Sequence, residues 1–284
     1  MVILLTGVTG QLGFELQRTL ASLGKIIGLD RKALDLRDTK AIQKIVREVK
    51  PNIIVNPAAY TAVDQAEKEA DLAFAINAKA PAVFAEEALA LNALLIHYST
   101  DYIFDGKKTH AYTEDDLPNP LNVYGSSKLE GEKAILQSGC RHLIFRSSWV
   151  YGMRGKNFLL TMLKLGRERP TLKIVDDQVG TPNWSRMLAE ASALALFKTI
   201  QNADARMDGV YHLSAGGETS WYGFAQSIFT LANIPVEIQA IASADYPTLA
   251  TRPQNSRLNP TKFYRAFALL LPHWQDGLKL CLEP

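Results

Sequence analysis

Seven residues near the N-terminus constrain this chain more than any other stretch. Gly7-Val8-Thr9-Gly10-Gln11-Leu12-Gly13 follows the apolar run Val2-Ile3-Leu4-Leu5 and opens a segment with Leu12, Leu16, Leu20 and Leu23 at helical spacing. The pattern predicts a buried strand, a tight turn and a helix over 11–23. Small residues in such a turn let backbone approach a pyrophosphate, and the helix start offers free N–H groups and a positive dipole end. A glycine-rich turn without a ligand is the competing reading of the loop alone. Asp30 sharpens the choice. It ends the second apolar run, Ile26-Ile27-Gly28-Leu29, about 20 residues on, where an acid meets ribose hydroxyls. Arg31 follows directly and suits a 2′-phosphate, so NADPH and NADH both stay open as cofactors.

The rhythm continues through the first half. Ile42, Ile45, Val46 and Val49 share one side of a helix over 39–49, with Asp38 as its cap and Pro51 beyond its end. Strands are expected at 53–55, 93–97 and 142–146, and helices at 71–91, interrupted near Pro81, and at 123–137. Strands alternating with helices imply right-handed crossovers and an α/β fold, a doubly wound parallel sheet covered on both faces. After residue 150 the rhythm loosens. Helices are expected at 158–166, 186–197 and 221–231, with short apolar runs at 172–175 and 210–213, and no period over 244–260. We expect 1–150 to be the dinucleotide-binding domain and 151–284 mainly a substrate-binding lobe, with some segments returning to the sheet.

Composition excludes several classes. The 284 residues are 47% hydrophobic and 21% charged, which is ordinary globular usage. With 31 basic and 29 acidic residues, no excess of charge exists to neutralise nucleic-acid phosphates. No apolar run approaches the roughly 20 residues that span a bilayer, and the short run at 2–5 is no signal peptide. Cys140 and Cys281 are too few for a disulfide scaffold and read as free thiols in a cytoplasmic protein.

Tyr124 and Lys128 stand four apart on the helix expected over 123–137 and so share a face. Phenol is a weak acid with a pKa near 10; a close ammonium favours phenolate and brings proton exchange with a carbonyl or alcohol toward neutrality. Chance alone supplies such spacings, so position must decide. Ser99-Thr100-Asp101 follows the fourth expected strand, where a hydroxyl can join Tyr124 on one oxygen; a strand-end cap is the plainer role for Thr100. Ligands of doubly wound sheets bind outside the carboxyl ends of the strands. The glycine loop, Asp30, Asn56-Pro57-Ala58-Ala59-Tyr60-Thr61, Ser99-Thr100-Asp101 and Ser147-Ser148-Trp149 follow strands one to five in turn, all on that edge. None of His97, His110, His142, His212 and His273 has metal-ligand spacing.

Together these stretches resemble the extended short-chain dehydrogenase/reductase family, with its Rossmann fold, and within it a branch of dTDP-4-keto-sugar reductases. STDYIFDG at 99–106 and PLNVYG at 120–125 carry the resemblance to that branch. DQVGTP at 177–182 and RPQNSRL at 252–258 extend it through the second half. The resemblance implies hydride transfer from NADPH or NADH to the C4 ketone of dTDP-6-deoxy-L-lyxo-4-hexulose. It implies Tyr124 as proton donor, Lys128 on the nicotinamide ribose, lowering the phenol's pKa, and Thr100 tuning the same network. Cofactor positions are Gly7, Gly10, Gln11, Leu12, Gly13, Asp30, Arg31, Asp35, Leu36, Ala58, Ala59, Thr61, Tyr124 and Lys128. Sugar-nucleotide positions are Val63, Thr100, Asp101 and Trp149, although a large aromatic such as Trp149 also packs cores. Arg252 and Lys156 are candidates for the diphosphate. Some members are homodimers bridged by magnesium through carboxylates. Glu15 fits the first acid, but Arg186 stands where the second belongs, with Glu283 as a remnant, so no metal is expected there. The alternatives are a non-catalytic nucleotide-binding regulatory subunit of the same fold, and a reductase or epimerase of another NDP-4-keto sugar. Retained Thr100, Tyr124 and Lys128 favour an enzyme, because a binding subunit needs no proton donor.

Overall fold

The computed structural model describes residues 1–202 and 207–283. The apolar runs of the first half become β1 (Val2–Thr6), β2 (Lys25–Leu29), β3 (Ile53–Asn56), β4 (Leu94–Thr100) and β5 (Arg141–Ser147). Between them lie α1 (Gln11–Thr19), α2 (Thr39–Val49), α3 (Val63–Ala66), α4 (Ala70–Phe74), α5 (Ala80–Leu91) and α6 (Val123–Ser138). The second half adds short strands β6 (Val150–Tyr151), β8 (Val179–Gly180), β9 (Asn183–Trp184) and β11 (Thr219–Ser220). Its longer strands are β7 (Thr171–Val175), β10 (Gly209–His212) and β12 (Glu237–Ile241). Its helices are α7 (Phe158–Glu168), α8 (Ser185–Gln201), α9 (Trp221–Leu231), α10 (Thr261–Phe267) and α11 (Trp274–Leu282).

Six strands form one parallel sheet in the order β2-β1-β3-β4-β5-β10. Side chains alternate between its faces, so an unbroken apolar strand feeds two cores. Leu4, Ile54, Leu95 and Ile144 meet Ile42 and Val46 of α2, Phe84 and Ala88 of α5, and Ile135 of α6. On the other face Ile3, Leu5, Val55, Ile96 and Phe145 meet Leu16 of α1, Leu188 and Leu196 of α8, and Phe263 and Phe267 of α10. A separate core gathers Leu159 and Leu163 of α7, Leu172 and Ile174 of β7, Phe224 and Ile228 of α9, and Trp274 and Leu278 of α11. Residues from the second half thus close one face of the sheet and add its sixth strand. No helix among the described residues is long and apolar enough to cross a membrane.

Three local expectations need correction. The first helix stops at Thr19 instead of reaching 23; Leu20 caps it and stays buried, and the chain turns at once into β2. The segment over 71–91 is not broken at Pro81. A π turn (Ala75–Lys79) joins α4 to α5, and Pro81 sits in the first turn of α5, where a missing N–H costs least. Ser99 and Thr100 do not follow the fourth strand but complete it, because they pair with Arg146 and Ser147 of β5.

The cap at Asp38 is present: its Oδ1 accepts the Ala41 N–H at 3.0 Å. Asp38→Ala is expected to destabilise the fold by about 1 kcal/mol, read as a lower midpoint in denaturant with an unchanged slope. Behind the sheet, Arg146 of β5 forks onto Glu132 of α6 at 2.6–3.2 Å, with both side chains at most 5% exposed.

Candidate active site

All five strands that precede the candidate segments run in one direction, so those segments meet along a single edge. The order reverses between β1 and β3, which opens a crevice at their carboxyl ends. The two loops there touch, since a Cβ at Gly7 would lie 3.0 Å from that of Ala58. A Cβ at Gly13 would sit 2.1 Å from the Gly7 carbonyl oxygen, so only glycine lets α1 start this close to the turn. No side chain caps α1 and no acid stands in its first turn, which leaves its N–H groups for an anion. The cradle therefore fits a dinucleotide pyrophosphate. Gln11 and Leu12 complete its first turn, and Gln11 Oε1 accepts from Asn157 Nδ2, the cap of α7, at 2.8 Å.

Four other predicted cofactor positions, Asp30, Arg31, Asp35 and Leu36, follow β2. Asp30 Oδ1 accepts the N–H groups of Lys32 and Ala33 at 2.9 and 2.8 Å, while Arg31 is exposed. Asp35 is held by Arg37, whose guanidinium keeps the carboxyl down at about 2; Leu36 is buried. Ala58, Ala59 and Thr61 lie in the loop after β3. Asn77 of the π turn clasps that loop: its Oδ1 accepts the Tyr60 N–H at 2.8 Å, and its Nδ2 donates to the Tyr60 carbonyl and to Ser127 Oγ, both at 3.0 Å.

Tyr124 reaches the site because α6 begins against the turn that follows β4. Asn122 caps the helix through the Gly125 N–H at 2.8 Å. A Cβ at Gly125 would fall 2.1 Å from the Tyr102 carbonyl oxygen. That close approach sets the Tyr124 ring edge-on to Tyr102, with centroids 5.8 Å apart. Burial pushes the Tyr124 phenol up to about 12, against a pull downward from the Thr100 hydroxyl. Thr100 Oγ1 shares a 3.0 Å hydrogen bond with Asp101 Oδ1 and accepts the Tyr102 N–H at 3.1 Å. Burial raises Asp101 to about 7, although the Ser256 and Thr100 hydroxyls work against the rise.

Lys128 is buried on α6, one turn beyond Tyr124. Its Nζ donates to the Tyr98 carbonyl at 2.6 Å and meets His97 Nε2 at 3.2 Å. Burial lowers it to about 8. The ammonium is thus bonded to β4, and burial is the strongest influence on the Tyr124 phenol. His97, fully buried, continues through Asn56 to Thr6 at the end of β1, at 3.2 and 2.7 Å.

The sugar-nucleotide positions divide. Thr100 and Asp101 stand close enough to act on the Tyr124 phenol, whereas Val63 starts α3 and is partly exposed. Trp149 adopts φ 45°, a left-handed backbone that a bulky residue reaches only when its surroundings impose it. Its indole stacks on Trp221 with centroids 3.5 Å apart and lies against Gly180. Arg252 pairs with Asp64 at 2.7 Å, and Lys156 is exposed. Arg186 pairs with Glu190 at 3.0 Å, and no metal-ligand cluster exists among the described residues.

The supporting roles of Asn77, His97, Asn56 and Trp221 escaped the sequence reading. Each residue supports a neighbour across 30 or more residues, or in the case of Trp221 across 72, and no spacing signal marks such a pair.

The whole chain, residues 1–284, matches the model of the RmlD substrate binding domain family. A dTDP-4-dehydrorhamnose reductase of Escherichia coli K12 is 45% identical, over 100% of this chain and 97% of the relative. A crystal structure of a dTDP-4-dehydrorhamnose reductase from Bacillus anthracis in complex with NADP superposes with a TM-score of 0.91 at 36% identity, covering 99% and 98% of the two chains. One from Clostridium acetobutylicum superposes at 0.93 and 37%, with the same coverage.

Proposed function

This chain belongs to the RmlD substrate binding domain family, and from that premise we propose how its residues carry out the reaction. It is a dTDP-4-dehydrorhamnose reductase, an NAD(P)H-dependent oxidoreductase that reduces the C4 ketone of its dTDP-sugar to the alcohol. The observation that carries the residue assignment is the meeting of Thr100, Tyr124 and Lys128 with the glycine loop on one sheet edge.

The bound coenzyme supplies the hydride. The first turn of α1 holds its pyrophosphate, and Asp30 with Arg31 meets the adenosine ribose. Lys128, which donates to the Tyr98 carbonyl, stands one helical turn from Tyr124, a position from which its ammonium would hold the nicotinamide ribose. Tyr124 stays protonated throughout the neutral range, because its phenol lies well above it. A phenol so loaded gives its proton to an oxygen that gains charge as hydride arrives at the neighbouring carbon. Thr100 supports the same oxygen. Trp149, fixed by Trp221, offers a flat wall to the sugar, and Val63 and Asp101 complete its site. We take residues 1–150 to serve the coenzyme and 151–284 mainly the sugar nucleotide. The buried free thiols of Cys140 and Cys281 suit a cytoplasmic location. Mixing the purified protein with NADPH and the dTDP-4-keto sugar tests the reading. Loss of the nicotinamide absorbance is expected with the dTDP sugar and much less with UDP or GDP analogues; no loss with any of them would refute it.

We further propose that pairing of two copies, as a homodimer, needs no metal near Glu15. α1 and α8 pack together, with Thr19 Oγ1 donating to the Ala189 carbonyl at 3.2 Å. α8 brings the Arg186 cation to that side, where a carboxylate would be required to hold a divalent ion. EDTA is expected to leave turnover and sedimentation unchanged; loss of either would show that a metal is held after all.

A further inference from the structure

Asp101 is a buried carboxyl without a cation. It is 3% exposed, no ion pair reaches it among the described residues, and its Oδ2 has no hydrogen-bond partner there. An ionised carboxylate in such a place would be desolvated with no cation beside it and only the Thr100 and Ser256 hydroxyls acting on it, a costly arrangement for a charged group. A neutral acid leaves only a carbonyl-like oxygen unanswered. Its other oxygen, Oδ1, lies 3.0 Å from Thr100 Oγ1.

Counting hydrogens at Thr100 shows what the protonation state decides. A hydroxyl has one hydrogen and two lone pairs. One lone pair already accepts the Tyr102 N–H. If Asp101 is ionised, the single hydrogen must go to Oδ1, and Thr100 presents only a lone pair to the cleft beside Tyr124. If Asp101 is protonated, its O–H fills the second lone pair, and the Thr100 hydrogen turns outward as a donor. An oxygen that becomes an alkoxide is stabilised by a second donor and repelled by a lone pair. We propose that Asp101 is held as the neutral acid and is a positioning residue that turns the Thr100 hydroxyl into a hydrogen-bond donor toward the reacting oxygen. The inference rests on the reductase reading for the identity of that oxygen, but the neutral carboxyl does not depend on it.

The ionisable groups around Asp101 leave it room to titrate alone. Tyr124 on α6 and Tyr102 on its own turn are both kept protonated by burial. The Arg252–Asp64 pair lies beyond Tyr102, and Ser256 from the C-terminal segment does not ionise. Lys128, one turn along α6 from Tyr124, is the other group that changes charge near neutrality.

Infrared difference spectra of the protein without substrate, taken between about pH 5 and 9, give the direct test. A carbonyl stretch of a protonated acid should persist at neutral pH, shift with carbon-labelled aspartate, fade on alkalinisation and be missing from Asp101→Asn. The labelled wild type reports the band even if the variant fails to fold. In turnover, kcat/KM of the wild type should fall about tenfold per pH unit on the alkaline side as the same band fades. Asp101→Asn, whose amide N–H can replace the acid O–H, should lose that fall and keep only a later one set by Lys128. Thr100→Val should lose on the order of 10² in kcat at every pH. No protonated-aspartate band at neutral pH overturns the proposal, and so does an Asp101→Asn variant with an unmoved alkaline limb. If the band is present but the wild type oxidises no NADPH with the dTDP-4-keto sugar, the donor role is overturned together with the reductase reading, while the neutral acid stands.

Discussion

Tyr124→Phe is expected to cost on the order of 10²–10⁴ in kcat while binding of NADPH survives. The ring itself remains, so its edge-on packing against Tyr102 is kept. What disappears is the single proton aimed at the cleft. Thr100 cannot replace it, since a threonine hydroxyl is a far weaker acid than a phenol and has one hydrogen bond already fixed by the Tyr102 N–H. Single-turnover measurements with saturating coenzyme separate the effects: the hydride step should slow while the coenzyme titration by fluorescence is unmoved. Full activity in this variant would remove Tyr124 from the reaction.

Gly10→Val should abolish productive coenzyme binding, with Kd for NADPH raised by at least about 10²-fold, or about 3 kcal/mol. The backbone at Gly10 is extended, at φ −76° and ψ 170°, and a Cβ there would meet only the Gly7 carbonyl oxygen at 3.3 Å. The fold should therefore accept valine with little change in melting temperature. Its branched side chain, however, fills the space over the first turn of α1, where the pyrophosphate must approach the N–H groups. Gly13 makes the contrasting case: the 2.1 Å approach to Gly7 would make any side chain there a folding defect as well. An unchanged NADPH titration in a folded Gly10→Val protein would refute the assignment of the loop.

The parallel sheet and most helices were legible because their signals are local. Apolar runs bounded by glycine or proline gave the strands, and the Ile42, Val46 and Val49 stripe gave α2 with its Asp38 cap. Signals that depend on a partner strand were not. Thr100 belongs to β4 only because Ser147 stands beside it on β5, and β10 joins the sheet from 62 residues beyond the end of β5. The candidate site was legible as a set of positions, since every loop after a parallel strand reaches the same edge. Its electrostatics were not. Spacing places Lys128 on the same face as Tyr124, but the fate of its ammonium depends on the Tyr98 carbonyl and on His97, which no helical period relates to it. Asp101 looks like any acid in sequence; only its burial and its partnerless oxygen set it apart.

The way the second half completes the first has a consequence for how the chain is made. While β5 leaves the ribosome, its outer edge is open and the face carrying Ile3, Val55 and Phe145 is covered only by α1. Both wait for α8, β10 and finally Phe263 and Phe267 of α10. Synthesis must thus deliver nearly the entire polypeptide before the central layer is sealed, and such distant pairings form slowly. A nascent fragment that stops near residue 150 would expose sticky surface and an open strand edge, the conditions under which chaperones engage and aggregates begin.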